Sequence, residues 1–329
     1  MFSGFLDKLD VQAFTTAAMN VPYEQLHSDL FPGIEVWVRR DDLLDPLISG
    51  NKAYKLLYSL VEAKERQIET VVTCGGAWSN HIHATAAAGA RFGFNTVGII
   101  RGQRPSSLSA TLRDAERFGM KLVFVNRAQY RRRSEVEFLS EVEVEEDSSL
   151  FVPEGGSNLA GVRGAQLLGE VIGKSAPVKF DQVWTACGTG ATFAGLAAGL
   201  NGPLVVGVEV LKAGDSVVSG VCTWLSLLKT RLTNDRVRVD PDIFTSDEMA
   251  GGVVCLLKGF HGGGYAKYSD ELRRFQCGFE VETGIPIDPI YTSKLLFALS
   301  AYAKVKHFKE SKRILVVHSG GLQGRRGLN

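Results

Sequence analysis

Cysteine is scarce in this chain and badly placed for cross-linking. Five are present, at positions 74, 187, 222, 255 and 277. Their number is odd and no two form a C-x-x-C pair, which argues against a disulfide framework or a zinc knuckle and for a reducing compartment. Excess charge is also missing, since 37 Lys and Arg against 36 Asp and Glu leave a net charge of +1. Nucleic acid is therefore not an expected partner. The basic run Arg131, Arg132, Arg133 is followed at once by Glu135, Glu137, Glu141, Glu143, Glu145 and Glu146, which reads as an exposed, charge-laced helix. No apolar run reaches membrane-spanning length, and the opening "MFSGFLDKLDVQAFTTAAMN" has acidic residues but no sustained apolar core, so neither a membrane span nor a signal peptide is expected. The chain reads as cytosolic. G-x-S-x-G, the mark of many serine hydrolases, does not occur. "LGEVIGKS" puts Gly169 one residue too close to Gly173-Lys174-Ser175 for a P-loop. His81 and His83 alternate without a nearby carboxylate or third ligand, so no metal is expected.

What is present is a rhythm. Short β-rich apolar runs ("ETVVTC", "NTVGII", "KLVFV", "LFVPEGG") alternate with helical patterns, and a second series runs through "FDQVWTAC", "TFAGLAAGL", "PLVVGVEV", "VCTWLSLLKTRL" and "RILVVHSGG". This is βαβ order and predicts an α/β protein with two open parallel-sheet units. A length of 329 residues accommodates two domains. No repeat, low-complexity tract or Pro-rich linker separates them, so their boundaries are soft and the halves can interleave.

In open parallel sheets, ligands bind beyond the carboxyl ends of the strands. The loops there are "CGGAWSNH" (74–81), "PEGGSN" (153–158), "ACGTGAT" (186–192) and "HSGG" (318–321). "CGTGAT" opens a small-residue helix, so its backbone N–H groups and the Thr189 and Thr192 hydroxyls can close around a phosphate. It is not a dinucleotide fingerprint, because Phe193 stands where the last glycine is required. A plain Gly-rich turn packed on a neighbouring helix is the alternative. Ser79 is placed to cap a helix beginning near Asn80, and the same N–H groups can take a carboxylate. "GNKAYKLL" (50–57) sets Lys52 and Lys55 at a helix start, where cations are disfavoured and solvated lysines are the plain reading. A phosphate cradle without a nucleotide motif, with a lysine on another loop, points to pyridoxal phosphate, which needs an amine, a phosphate site and a polar partner for its ring nitrogen.

"RRDDLL…SGNKAYKL", "GGAWSNHIHATAAAGARFG", "VPEGGSN", "ACGTGATFAGL", "GGGYAKYSDE", "DPIYTSK" and "VVHSGGLQG" together resemble the 1-aminocyclopropane-1-carboxylate deaminase and D-cysteine desulfhydrase family. These are pyridoxal-phosphate enzymes of the tryptophan synthase β-like fold, fold type II. The resemblance runs from about residue 35 to the C-terminus. It implies two three-layer domains, with residues 1–52 and 164–329 forming the large one and 53–163 a small one inserted in it, and a homodimer. It implies that Lys52 carries the cofactor and moves protons, while Lys55 matches a second, non-catalytic lysine. Asn80 resembles the partner of the cofactor's 3-hydroxyl, and Cys187, Gly188, Thr189, Gly190, Ala191 and Thr192 resemble the phosphate cup. Ser79, Asn80 and His81 resemble the segment that takes the substrate carboxylate, with Ser79 also a nucleophile or proton carrier; Tyr265 and Tyr291 match the tyrosines that face the substrate. Two positions depart from the pattern. Thr292 replaces the deaminase glutamate that pairs with the ring nitrogen, leaving Thr292 or Ser319 for that task, and Trp78, beside the substrate segment, replaces a desulfhydrase glutamine. A hydroxyl makes the ring a weaker electron sink than a carboxylate does. The expected activity is therefore D-cysteine desulfhydrase-like β-elimination from a small amino acid, giving pyruvate, ammonia and sulfide. Ring-opening deamination, racemisation and non-catalytic cofactor binding are the alternatives.

Overall fold

A computed structural model describes residues 6–135, 137–142, 148–212, 214, 216–229, 237–239, 254–264, 267–305, 308 and 312–327. The strands are β1 (Tyr23–Leu26), β2 (Glu35–Arg39), β3 (Thr70–Gly75), β4 (Asn95–Arg101), β5 (Lys121–Val125), β6 (Ser149–Val152), β7 (Gln182–Cys187), β8 (Leu204–Glu209), β9 (Val237–Arg238), β10 (Val254–Leu257) and β11 (Arg313–Val317). The helices are α1 (Val11–Met19), α2 (Asn51–Glu65), α3 (Asn80–Phe92), α4 (Ala110–Arg117), α5 (Arg127–Arg131), α6 (Phe138–Glu141), α7 (Leu159–Ser175), α8 (Ala191–Gly199), α9 (Ser216–Leu227), α10 (Asp270–Thr283) and α11 (Thr292–Lys304).

Two sheets result. One has the order β1-β2-β11-β7-β8-β10-β9 and the other β5-β4-β3-β6. Every pairing is parallel except that of β1 with β2. The central strands β7, β8 and β10 are buried on both faces because helices cover both, as parallel sheets require. In β11, Leu315 and Val317 join the cluster containing α7 and α8 residues, while Ile314 and Val316 join Phe275, Phe279 and Leu299 of α10 and α11. In β4, Ile99 packs with Tyr130 and Phe138 while its neighbour Ile100 packs with Leu112 and Ala115. This is the two-residue alternation of a strand buried on both sides. Leu56, Leu57 and Leu60 of α2 share one cluster with Leu168 of α7 and with Val71 and Ala88 beside the smaller sheet, so α2 ties the two sheets together.

The predicted acidic helix is broken. Only α5 and the four-residue α6 form over the described part of that segment, and Arg132 pairs with Glu135 at 2.7 Å and Glu141 at 2.8 Å. Glu143, Glu145 and Glu146 lie outside the described residues. The tertiary reason is Tyr130 and Phe138, both buried under the smaller sheet, a demand that one straight solvated helix would not meet.

"RRDDLL" is structural. Arg39, buried, reaches Asp41 at 3.1 Å, the Tyr23 hydroxyl at 2.6 Å and the Ala18 carbonyl at 2.6 Å, while the Tyr54 hydroxyl donates to Asp41 at 2.8 Å. A buried ion pair persists only when its remaining polar atoms are satisfied in this way. The Asp41 carbonyl in turn accepts from the Gly50 N–H at 3.1 Å, placing the turn that starts α2. Gly50 has φ 64°, and a Cβ there would fall 1.9 Å from the Ser319 carbonyl oxygen, so only glycine fits. The lysine-bearing helix is thereby set against the loop that follows β11. Among the described residues, no helix is long and apolar enough to cross a membrane.

Candidate active site

The loops after β3, β6, β7, β8 and β11 converge on a cavity of about 520 Å³ whose lining includes Lys52, Ser79, Asn80, His81, Tyr291 and Ser319. All of these loops leave the carboxyl ends of parallel strands, where sheet topology puts ligand sites. Ser79 caps α3, accepting from the Ile82 N–H at 3.3 Å, as its residue type predicts. Asn80, the next residue, accepts at its side-chain oxygen from Gln323 Nε2 at 2.8 Å, so the C-terminal segment orients this amide. His81 is 1% exposed and neither ring nitrogen has a hydrogen-bond partner among the described residues. Burial, then the charges of Lys52 and Lys55, hold its pKa well below the usual imidazole value. A neutral, unpartnered ring in a pocket wall is ready to bind or orient an incoming polar group.

Lys52 lies in the first turn of α2 with Nζ 3.2 Å from Asn51 Oδ1. Desolvation lowers its amine to about 8, against the pull of the Asp288 carboxylate, which favours the cation. Lys55 is 1% exposed and lines the same cavity; burial first, and the Lys52 charge second, lower its pKa well below that of a solvated lysine. Neither is the solvated lysine that local sequence suggests. Since the neutral amine is the nucleophile, acylation of Lys52 should rise with pH through a midpoint of about 8, whereas a solvated lysine titrates at about 10.4. Brief acylation at graded pH followed by peptide mapping reads this directly; a midpoint matching that of the surface lysines would refute it.

The loop Cys187–Thr192 runs from β7 into α8. Gly190, at φ 83°, starts that helix, a Cβ on it would fall 2.8 Å from Val221, and no side chain caps the helix. The first-turn N–H groups are thus left for an anion. Cys187, Gly188, Thr189, Gly190 and Thr192 all line the cavity, and Ala191 is buried as the first residue of the helix. Thr189 Oγ accepts from Ser157 at 2.6 Å and Thr192 Oγ from Asn51 at 2.9 Å. Burial pushes the Cys187 thiol up to about 12, so it remains protonated and is no nucleophile.

Two predicted residues, Thr292 and Trp78, are not brought to the cavity. Thr292 is fully buried at the start of α11, its hydroxyl unpartnered among the described residues, and it does not line the cavity; Ser319 does. Trp78 is also absent from the lining, and its ring lies against Gly327 in the C-terminal segment. Tyr265 lies outside the described residues, although the loop before it is anchored by Lys294, whose amine donates to the carbonyls of Val210 at 3.1 Å, His261 at 2.8 Å and Gly264 at 3.0 Å. Among the described residues, no three His, Cys, Asp or Glu side chains gather as metal ligands. Sequence reasoning missed Arg101, Arg133 and Glu154 in the lining, and Asp288 behind it. Asp288, 1% exposed, accepts from the N–H groups of Ile290 at 2.9 Å, Tyr291 at 2.8 Å and Thr292 at 2.8 Å. An Asp shortly before a helical pattern is the signal that would have found it.

A desolvated lysine, an uncapped helix start and a cavity-facing hydroxyl at Ser319 fit a phosphate-bearing aldehyde cofactor such as pyridoxal phosphate. The crystal structure of an ACC deaminase homologue superposes on the chain with a TM-score of 0.73 at 24% identity, over 92% of this chain and 90% of that one. A bifunctional D-cysteine desulfhydrase/1-aminocyclopropane-1-carboxylate deaminase of Arabidopsis thaliana, described as mitochondrial, is 28% identical over 98% of this chain and 81% of its own. A D-cysteine desulfhydrase of Yersinia enterocolitica is 27% identical over 88% of this chain and 87% of its own. The family model for pyridoxal-phosphate dependent enzymes matches residues 17–320, and to that family this chain belongs.

Proposed function

We propose that this enzyme expels a β-substituent from a small amino acid, as a D-cysteine desulfhydrase does, releasing pyruvate and ammonia. When bound, the cofactor supplies an aldehyde for the substrate amine and a ring that takes up the electrons left at the α-carbon. In this reading Lys52 holds the aldehyde, the loop Cys187–Thr192 holds the phosphate and Asn80 meets the ring hydroxyl. The Lys52 amine, lowered to about 8, takes the α-proton at Nζ and returns it as needed. Ser79, Asn80 and His81 receive the substrate carboxylate at the α3 N-terminus, in the cavity that Tyr291 also lines.

What supports β-elimination in this reading is that a hydroxyl, and no free carboxylate, is available among the described residues for the ring nitrogen. Among the described residues, Ser319 lines the cavity and Thr292 does not, and the one carboxylate in the lining, Glu154, is paired with Arg133 at 2.9 Å. A hydroxyl leaves the ring nitrogen unprotonated and the sink weak, which suits departure of a good leaving group better than opening of a cyclopropane. Cofactor-loaded protein should give sulfide and pyruvate from D-cysteine and no 2-oxobutyrate from 1-aminocyclopropane-1-carboxylate. Release of 2-oxobutyrate would establish ring opening instead and defeat the weak-sink argument. We further take the enzyme to be a cytosolic homodimer, with residues 53–163 as the inserted small domain. The family resemblance supports the dimer, and the separate four-stranded sheet supports the division.

A further inference from the structure

Two arginines from the smaller-sheet half, Arg101 and Arg133, line the cavity. Arg101 ends β4, and a Cβ on Gly76 would lie 3.4 Å from its Nη2, so this guanidinium sits against the turn that leads into Ser79. Arg101 and Arg133 line both the main cavity and a smaller one of about 360 Å³, whose remaining lining residues are Arg127, Tyr130 and Arg131. Tyr130 organises the group. Its ring lies 5.6 Å from the Arg101 guanidinium and 4.9 Å from that of Arg133, a stacking that holds both planar forks in place. Arg133 is neutralised by Glu154, and Arg132 turns away to Glu135 and Glu141. Among the described residues, no carboxylate pairs with Arg101, Arg127 or Arg131.

Arg101, Arg127 and Arg131, exposed and without a carboxylate partner among the described residues, surround the smaller cavity, which Arg101 and Arg133 join to the main one, and together they give it a positive potential. The cofactor phosphate does not account for them, because its cup lies on the β7–α8 loop of the other sheet. The substrate carboxylate does not either, since the α3 N-terminus receives it. We propose that Arg101, Arg127 and Arg131 form an oxyanion subsite for the substrate's side chain, so that the preferred substrate is an amino acid carrying phosphate, sulfonate or carboxylate beyond its β-carbon. This rests on the reading of the cavity as an amino-acid site. A guanidinium fork pairs with such an oxyanion through two parallel charge-assisted hydrogen bonds.

The test uses cofactor-loaded protein and probes that cannot eliminate: 2-amino-4-phosphonobutanoate, its carboxylate counterpart glutamate, and uncharged 2-aminobutanoate, each titrated calorimetrically in both enantiomers. The phosphonate or glutamate should bind at least about tenfold more tightly than 2-aminobutanoate, and the better of the two identifies the anion. That preference should weaken as salt is raised. In Arg101→Gln and in the Arg127→Gln/Arg131→Gln pair, the ratio of anionic to uncharged affinity should fall by about tenfold. Equal binding of all three probes would remove the subsite and leave the amino-acid site standing. Binding of none would overturn both.

Discussion

Lys52→Ala is expected to abolish turnover and covalent capture of pyridoxal phosphate, whereas Lys55→Met retains the capture. The two lysines stand three residues apart on one helix, line one cavity and have lowered pKa values, so acidity alone does not separate them. By burial Lys55 is the more perturbed. Position decides between them. Lys52 follows Gly50 and Asn51, whose N–H groups meet the Asp41 carbonyl at 3.1 Å and the Ser319 carbonyl at 3.3 Å, so the turn that carries it is tied to the loop after β11. Lys55 stands deeper, where a Cβ on Gly156 would lie 3.2 Å from its own Cβ and 3.2 Å from the His81 ring. Loss of the general base alone costs roughly 10²–10⁴-fold in rate, and loss of the covalent attachment adds to it. Borohydride reduction followed by peptide mapping reads the attachment directly. Cofactor fixed on Lys55 in the parent protein would reverse the two roles. Methionine at position 55 keeps the volume, so a defect there reports the amine rather than a hole.

Asp288→Ala should be among the most destabilising single changes outside the apolar core, and it should also alter Lys52. The Asp288 carboxylate receives three N–H groups from Ile290, Tyr291 and Thr292 at the start of α11. Removing it orphans all three in a buried setting, at a cost of about 3–5 kcal/mol, because bonds to charged groups are stronger and unmade ones are costly. Its second role is electrostatic, since its negative charge is what opposes desolvation at both Lys52 and Lys294. Without that charge the Lys52 amine should titrate below about 8, and the neutral form should persist to lower pH. Asp288→Asn separates the roles. An amide oxygen placed as Oδ2 still accepts from Ile290 and Tyr291, so about 1–2 kcal/mol is lost, yet the charge is gone and Lys52 should move as far as in the alanine variant. Denaturant unfolding supplies the first quantity and the pH dependence of Lys52 acylation the second. An unmoved Lys52 midpoint in the asparagine variant would show that Asp288 only caps the helix.

Local sequence determined a good deal of this protein. Helix caps such as Ser79, the short β-rich apolar runs of β4 and β11, and the glycine-rich turns after β3, β7 and β11 act over a few residues, so spacing and residue type reveal them. They were enough for two largely parallel sheets and for strand-end loops that line one cavity, whereas the parts assigned to Lys52, Asn80 and the Cys187–Thr192 loop came with the family resemblance. Only the tertiary structure decided which distant groups share the cavity. Arg101 and Arg133 are separated along the chain by α4, β5 and α5, and they meet because both flank the ring of Tyr130. Trp78 is adjacent in sequence to the substrate segment, yet its ring packs on Gly327, a contact set by where the C-terminal segment crosses. Thr292 and Ser319 were equivalent as hydroxyls, and burial of the α11 start separated them. The acidic stretch after Arg133 carried every sign of a solvated helix, and burial of Tyr130 and Phe138 under the smaller sheet broke it. Backbone conformation follows neighbours in the chain, whereas burial and charge pairing follow neighbours in space, and in a fold with crossovers between every pair of parallel strands the two sets differ most at the strand ends, where the site lies.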